Sequence, residues 1–294
     1  MMFHRLIWLT LHLAICFSFV RGGPVFNSRA PDEGRGGCGS ELTKDDVAAA
    51  ESSFQDRKAW SSFLAAGAAF APVEIEVYWH VVAANTTISG GWIPQSQIDA
   101  QMAVLNEDYA DVGVSWRYVN TTRIISADWF RNISPSTSKA NIMKQLFRKG
   151  GATSLNVFTV GFIGSNLLGY STFPWRYDVE SEIDGIVLRY SSVPGGISGR
   201  VNAGRTLTHE VGHWLGLYHT FQGGCDDGQG DLVDDTPAVK AANFGCPTVR
   251  DTCAGGGLDL INNFMDYTDD DCKTGFTDGQ IARMQAAVQI YRSA

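Results

Sequence analysis

Residues 209–219 read His-Glu-Val-Gly-His-Trp-Leu-Gly-Leu-Tyr-His, and their types and spacing describe metal chemistry. On a helix, His209 and His213 sit one turn apart, about 6 Å along the axis, so both imidazoles leave the same face. Glu210, beside the first of them, can reach a water bound to the same ion. Gly216 lets the helix stop and the chain bend back, because a residue without Cβ accepts the left-handed conformation. His219 then becomes a third nitrogen ligand. Three neutral imidazoles and an open fourth position describe a catalytic zinc site, since structural sites are closed by four protein ligands. A bare His-Glu-x-x-His arises by chance in roughly four chains per thousand of this composition, and the extended form in about one per hundred thousand. Of the six histidines, His4 and His12 lie in a leader-like segment, and only His80 of the rest lies outside the motif. The competing reading, a helix of buried, hydrogen-bonded histidines, does not explain that concentration.

A helix over about 203–219 must therefore be held against a scaffold. Val73–Val82 alternates and is β-branched, which predicts a first strand. Pro94–Tyr109 carries Ile98, Met102, Leu105 and Tyr109 at helical spacing. Gly113–Asn120, Ser154–Phe162 and Gly185–Tyr190 read as further strands, and Ser138–Arg148 as a helix. Residues 44–66 have helical composition, and a final helix spans about Asp278–Tyr291. Residues 23–40, rich in Gly and Arg, are expected to lack regular structure. Strands and helices alternate up to the metal helix, and irregular sequence rich in Gly, Asp and Cys follows it.

A chain of 294 residues with 44% hydrophobic content buries a full core. Residues 6–20 form an apolar run behind Arg5, too short for a comfortable membrane span, with Val20 and Gly22 at the positions a signal peptidase reads. The expected division is a signal peptide at 1–22, an N-terminal pro-like segment at 23–69 and a catalytic domain at 70–294, with secretion to the extracellular space. Loss of Arg5 and Arg21 moves the formal charge from −8 to about −10. An acidic secreted chain without basic runs is a poor partner for nucleic acid or an anionic membrane. Cys16 leaves with the leader, so five cysteines remain. Cys225, Cys246, Cys253 and Cys272 are expected to form two disulfides, with all three pairings open on spacing alone. Cys38, unpaired and upstream of the metal motif, could place a thiolate where water must bind, making it a latency switch. Sequons at Asn85, Asn120 and Asn132 are candidate glycosylation sites.

The string 209–219 resembles the metzincin clan of zinc peptidases, whose signature adds a methionine-containing turn. Asn263-Phe264-Met265-Asp266-Tyr267 supplies one, and Met265 is the only methionine between the metal helix and the last helix. Within the clan, Gly91–Ile98, Asp231–Pro237 and Asn263–Thr268 are similar to the pappalysin family, in particular its secreted fungal extracellular metalloproteases. The resemblance covers roughly residues 70–294. It implies an α+β catalytic domain: a twisted mixed sheet with helices above the cleft, and a small irregular lower part stapled by disulfides.

The resemblance implies a monomeric zinc-dependent endopeptidase acting on proteins and peptides, with one catalytic Zn2+. His209, His213 and His219 would be the ligands, Glu210 the general base and Tyr267 the group that meets the oxyanion. Met265 would pack beneath the metal, and residues near 169–174 would bind extended substrate by strand addition. The resemblance also pairs Cys225 with Cys253 and Cys246 with Cys272. The carboxylates and glycines of Cys225–Asp235 suit a structural Ca2+, against the alternative of a solvated acidic loop. Asp271, beside a disulfide-held Cys272, is expected to line a substrate pocket selective for Arg or Lys after the scissile bond. The rival of another class, a zinc-retaining protein that binds without cleaving, has no use for Glu210.

Overall fold

A computed structural model of the chain describes residues 36–65, 69–225 and 230–293. The expected leader at 1–22 lies outside the described residues. In chain order the elements are β1 (Gly37–Cys38), α1 (Lys44–Ala65), β2 (Val73–Ala83), α2 (Gln95–Asp108), β3 (Val114–Ile125), α3 (Ala127–Asn132) and α4 (Ser138–Phe147). There follow β4 (Ser154–Val160), β5 (Leu167–Ser171), α5 (Tyr177–Glu180), β6 (Ile186–Arg189), α6 (Arg205–Trp214) and α7 (Asp278–Tyr291). They form an α+β fold around one mixed sheet of order β1-β5-β6-β4-β2-β3. β3, β2, β4 and β6 run parallel, β5 runs antiparallel to β6, and β1 lies parallel to β5 at the edge.

A parallel core covered on both faces shows directly in the strands. Ile75, Val77, Trp79 and Val81 of β2 and Leu155 and Val157 of β4 point to one side, where Ile98 and Leu105 of α2 meet Leu207, Val211 and Trp214 of α6. Val82, Phe158 and Val160 point to the other, against Ala140 and Met143 of α4. β3 runs five residues beyond the expected Asn120, because Thr121–Ile125 continue to pair with Trp79–Ala83 of β2. His80 is buried within this sheet, its Nε2 2.9 Å from Asn156 Oδ1. That oxygen also accepts from Lys149 N, so the imidazole Nε2 is the donor and Nδ1 is left buried and unpartnered.

α6 is seated from three directions. Gly204, at φ +98°, begins it without a side-chain cap, and Asp270 Oδ2 from the far segment accepts from Ala203 N (2.8 Å) and Arg205 N (3.3 Å) instead. Thr208 and Arg205 both bind the Asp108 carboxylate at the end of α2. At the other end, the Trp214 indole donates to Asp184, which also holds both terminal nitrogens of Arg292 at 3.0 and 3.1 Å. Arg292 lies flat on the Trp214 ring at 3.6 Å, and the ion pair is fully buried.

Beyond α6 the chain is irregular and stapled by Cys225–Cys253 and Cys246–Cys272, while Cys38 is free and buried. The expectation of no regular structure over 23–40 fails at its described end: Gly37–Cys38 adds a strand to the open edge of β5, with Gly39 N donating to Gly169 O at 2.9 Å. α1 then packs on α7 through Phe54, Ala287 and Tyr291, and Glu51 binds the Arg283 guanidinium. The sequon residues Asn85, Asn120 and Asn132 are all exposed. Among the described residues no helix is long and apolar enough to cross a membrane.

Candidate active site

His209 and His213 project from one face of α6, and Gly216, at φ +94°, turns the chain so that His219 comes back beneath them. Carbonyl acceptors fix two of the rings. His209 Nδ1 donates to Phe264 O in the methionine turn, and His213 Nδ1 donates to Leu217 O, each at 2.8 Å. Burial pushes all three imidazoles below their ordinary pKa, His213 to about 4, so they are neutral. With Nδ1 protonated, the Nε2 atoms of His209 and His213 are bare lone pairs, yet they stand 3.2 Å apart, and His219 Nε2 is 3.1 Å from His213 Nε2. Facing lone pairs at that distance require a cation between them. Ligands about 2.0–2.1 Å from a tetrahedral zinc lie about 3.3–3.4 Å from one another, which this cluster approximates. The Cys38 thiol completes the set: one atom from each of the four residues lies within 4.8 Å of the others. Three imidazoles and a sulfur suit zinc better than a hard, oxygen-seeking ion.

The turn beneath the cluster is held by its own side chains. Asn263 Oδ1 accepts from Met265 N and its amide pairs with Gln280, while Asp266 accepts from Asn243 and Tyr267 N. Met265 is fully buried, and a Cβ on Gly212 of α6 would fall on its sulfur, so the helix can approach the turn only with glycine there. Glu210 is also buried, which raises its carboxyl to about 8 despite hydrogen bonds that oppose the shift. Those bonds come from the N-terminal segment: Cys38 Sγ and Ser40 Oγ donate to Glu210 Oε2 at 3.3 and 3.2 Å. The second oxygen, Oε1, is buried without a partner. Tyr267 OH lies 3.2 Å from His219 Nε2 and accepts from Cys38 N at 3.1 Å. Ser40, which sequence reading did not single out, is pinned in turn by Ser171 N of β5 at 2.8 Å.

Comparison with known proteins fits this geometry. Residues 180–289 match the Peptidase_M43 family, described as pregnancy-associated plasma protein-A. The chain is 45% identical over 221 residues to an extracellular metalloprotease of Pyricularia oryzae, covering 74% of this chain and 76% of that protein. It is 41% identical over 269 residues to extracellular metalloprotease 1 of Coccidioides posadasii, covering 90% and 93%. This chain is a pappalysin-family zinc metalloendopeptidase. Among solved structures, a promirolysin mutant of Tannerella forsythia aligns with a TM-score of 0.65 at 28% identity, over 86% of this chain and 94% of that one. Mature mirolysin in complex with a cleaved peptide aligns at 0.60 and 28%, over 76% and 97%.

Two expectations for this pappalysin-family chain gain no support from the geometry. Asp271 is exposed and does not line the cavity beside the metal cluster; Asp270 and Lys273 do. Asp270–Cys272 is a single 3-10 turn, in which residues three apart eclipse one another, so 270 and 273 share the inner face and 271 is rotated outward. Calcium finds no support either. Among the described residues the Cys38–histidine group is the one cluster poised to share an ion. Asp231 Oδ1 accepts from Val233 N and Thr236, and Asp235 accepts from Thr277 and Gly279 N. Residues 226–229 lie outside the described residues.

Proposed function

We propose that this chain is a secreted endopeptidase that uses Glu210 as its general base and is made latent by its own residues 23–69. His209, His213 and His219 would hold zinc, which when bound polarises the scissile carbonyl and lowers the pKa of a water toward neutrality. Burial raises the Glu210 carboxyl above its ordinary value, which supports its reading as a proton acceptor toward a zinc-polarised water. One carboxylate oxygen takes a proton from the attacking water and returns it to the leaving amine nitrogen, so that an amine rather than an amide anion departs. Tyr267 OH, already beside the His219 ring, donates to the oxyanion that develops on the carbonyl. The cleaved peptide held by mature mirolysin supports peptides as the substrate class.

One observation carries the latent state: Cys38 Sγ lies within 4.8 Å of all three histidine nitrogens and 3.3 Å from Glu210. The same short segment occupies three catalytic groups at once. The sulfur faces the metal cluster, Cys38 and Ser40 hold the base, and the Cys38 backbone binds the Tyr267 hydroxyl. The test is a peptide-cleavage assay on the zinc-loaded full chain. Cys38→Ala is expected to raise chelator-sensitive cleavage at least tenfold, and adding Glu210→Gln should abolish it while one zinc per chain remains. Unchanged activity in Cys38→Ala refutes latency. Near-normal hydrolysis in the Glu210→Gln form refutes the base.

A further inference from the structure

Beside the metal cluster lies a small cavity walled by Leu168 of β5, Thr206 and Glu210 of α6, and Tyr267, Asp270 and Lys273 beyond the methionine turn. Gly36 and Gly37 of the N-terminal segment cross it with bare backbone, and a Cβ on Gly36 would meet the Leu168 side chain at 2.7 Å. The segment therefore leaves the space unfilled.

The wall carries charge of both signs, but the charges are not equally satisfied. Asp270 accepts from two backbone N–H groups at the start of α6. Asp266, close behind, accepts from Asn243 N, Asn243 Nδ2 and Tyr267 N. Lys273 is only 8% exposed, yet among the described residues its ammonium makes no hydrogen bond and no ion pair. Burial lowers its pKa below the ordinary lysine value, and Asp270, Asp266 and Glu210, acting at longer range, oppose that shift without cancelling it. A buried ammonium with three unused N–H donors at the edge of a cavity is a site for an anion.

We propose that this cavity receives the side chain of a substrate residue flanking the scissile bond, and that Lys273 makes it selective for a carboxylate. Glu or Asp at that position forms a charge-assisted hydrogen bond to the Lys273 ammonium. Arg or Lys there brings a second cation into a space Lys273 already occupies, so the same residue that attracts one class repels the other. The inference rests on the peptidase reading and reverses the preference expected from the acidic run Asp269–Asp271.

The experiment uses the zinc-loaded full chain in the Cys38→Ala form and a peptide library with every residue varied on both sides of the cut. Acidic residues should dominate one of the two positions adjoining the scissile bond. In single peptides, kcat/KM for Glu there should exceed that for Arg at least tenfold. Lys273→Arg should keep the preference, Lys273→Met should bring the ratio within threefold of unity, and Lys273→Glu should favour Arg. Preference for Arg or Lys with Lys273 in place overturns the proposal without any variant needing to fold. So does an acidic preference that survives in a folded, zinc-loaded Lys273→Met form. Cleavage without charge preference defeats this inference alone, whereas no cleavage of any peptide defeats the peptidase reading and this inference with it.

Discussion

Gly169 of β5 stands against the carboxylate of Glu210, the proposed base, and replacing it with alanine isolates what that closeness is worth. A Cβ built there lies 2.8 Å from Glu210 Cγ, 2.9 Å from Oε1 and 3.1 Å from Cδ. Ordinary contact begins about 0.5 Å or more further out, so the whole carboxyl group must move. It cannot move freely, because Glu210 is 1% exposed on a helix tied down at both ends. The backbone at Gly169 is not left-handed, and alanine in a strand costs no more conformational entropy than glycine. The clash with Glu210 is therefore the main penalty. Displacing a reacting group by about 1 Å costs on the order of a hundredfold in rate. About half that displacement predicts a tenfold to hundredfold loss in kcat, or about 1.4–2.7 kcal/mol on the barrier. In the Cys38→Ala background, Gly169→Ala should show that loss with zinc content intact and Tm lowered by only a few degrees. Gly151→Ala is the control, since nothing lies within 4 Å of its built Cβ. A Gly169→Ala enzyme with the parent kcat refutes the claim that β5 fixes the position of the base.

Burial lowers the His80 pKa to about 4, against an ordinary value near 6.5, so the fold favours its neutral form. That contribution is complete above about pH 6.5, is lost as pH falls toward 4, and amounts to about 3 kcal/mol. Urea unfolding at saturating zinc should show the wild-type minus His80→Gln stability difference shrinking over that window; a difference independent of pH refutes it. Arg292→Met leaves Asp184 buried without its cation and should cost about 3–5 kcal/mol. Asp184→Asn added to it should recover part of the loss in the same unfolding assay.

The metal helix and the methionine turn were readable because each is local: ligand spacing, and one methionine in the right interval. The final helix lies where expected and is opened by a capping box of Thr277 and Gln280 that the structure reveals. β2, β3, β4 and β6 were readable as strands, β2 from its β-branched alternation, though the end of β3 was set by its pairing with β2; β5 was expected only through the family resemblance. What escaped was set by contacts between distant segments. β1 is two residues of glycine-rich chain that become a strand only because the edge of β5 is open. Ser40 matters because Ser171 and Glu210 are brought to it, separations of 131 and 170 residues that no motif encodes. The acidic run after Tyr267 was a visible signal, but which of its residues faces inward depended on a single 3-10 turn.

The Arg292 clasp has a bearing on when the site can exist. Its guanidinium neutralises Asp184 and covers Trp214, the residue directly after His213 in the metal motif. A nascent chain that has already emitted all three histidines still has Asp184 facing an apolar interior without its counter-charge. The stable seat for the motif forms only once Arg292 has cleared the ribosome and reached Asp184. The metal seat is thus completed only after Cys38 and Ser40, far earlier in the chain, are already available to cover it.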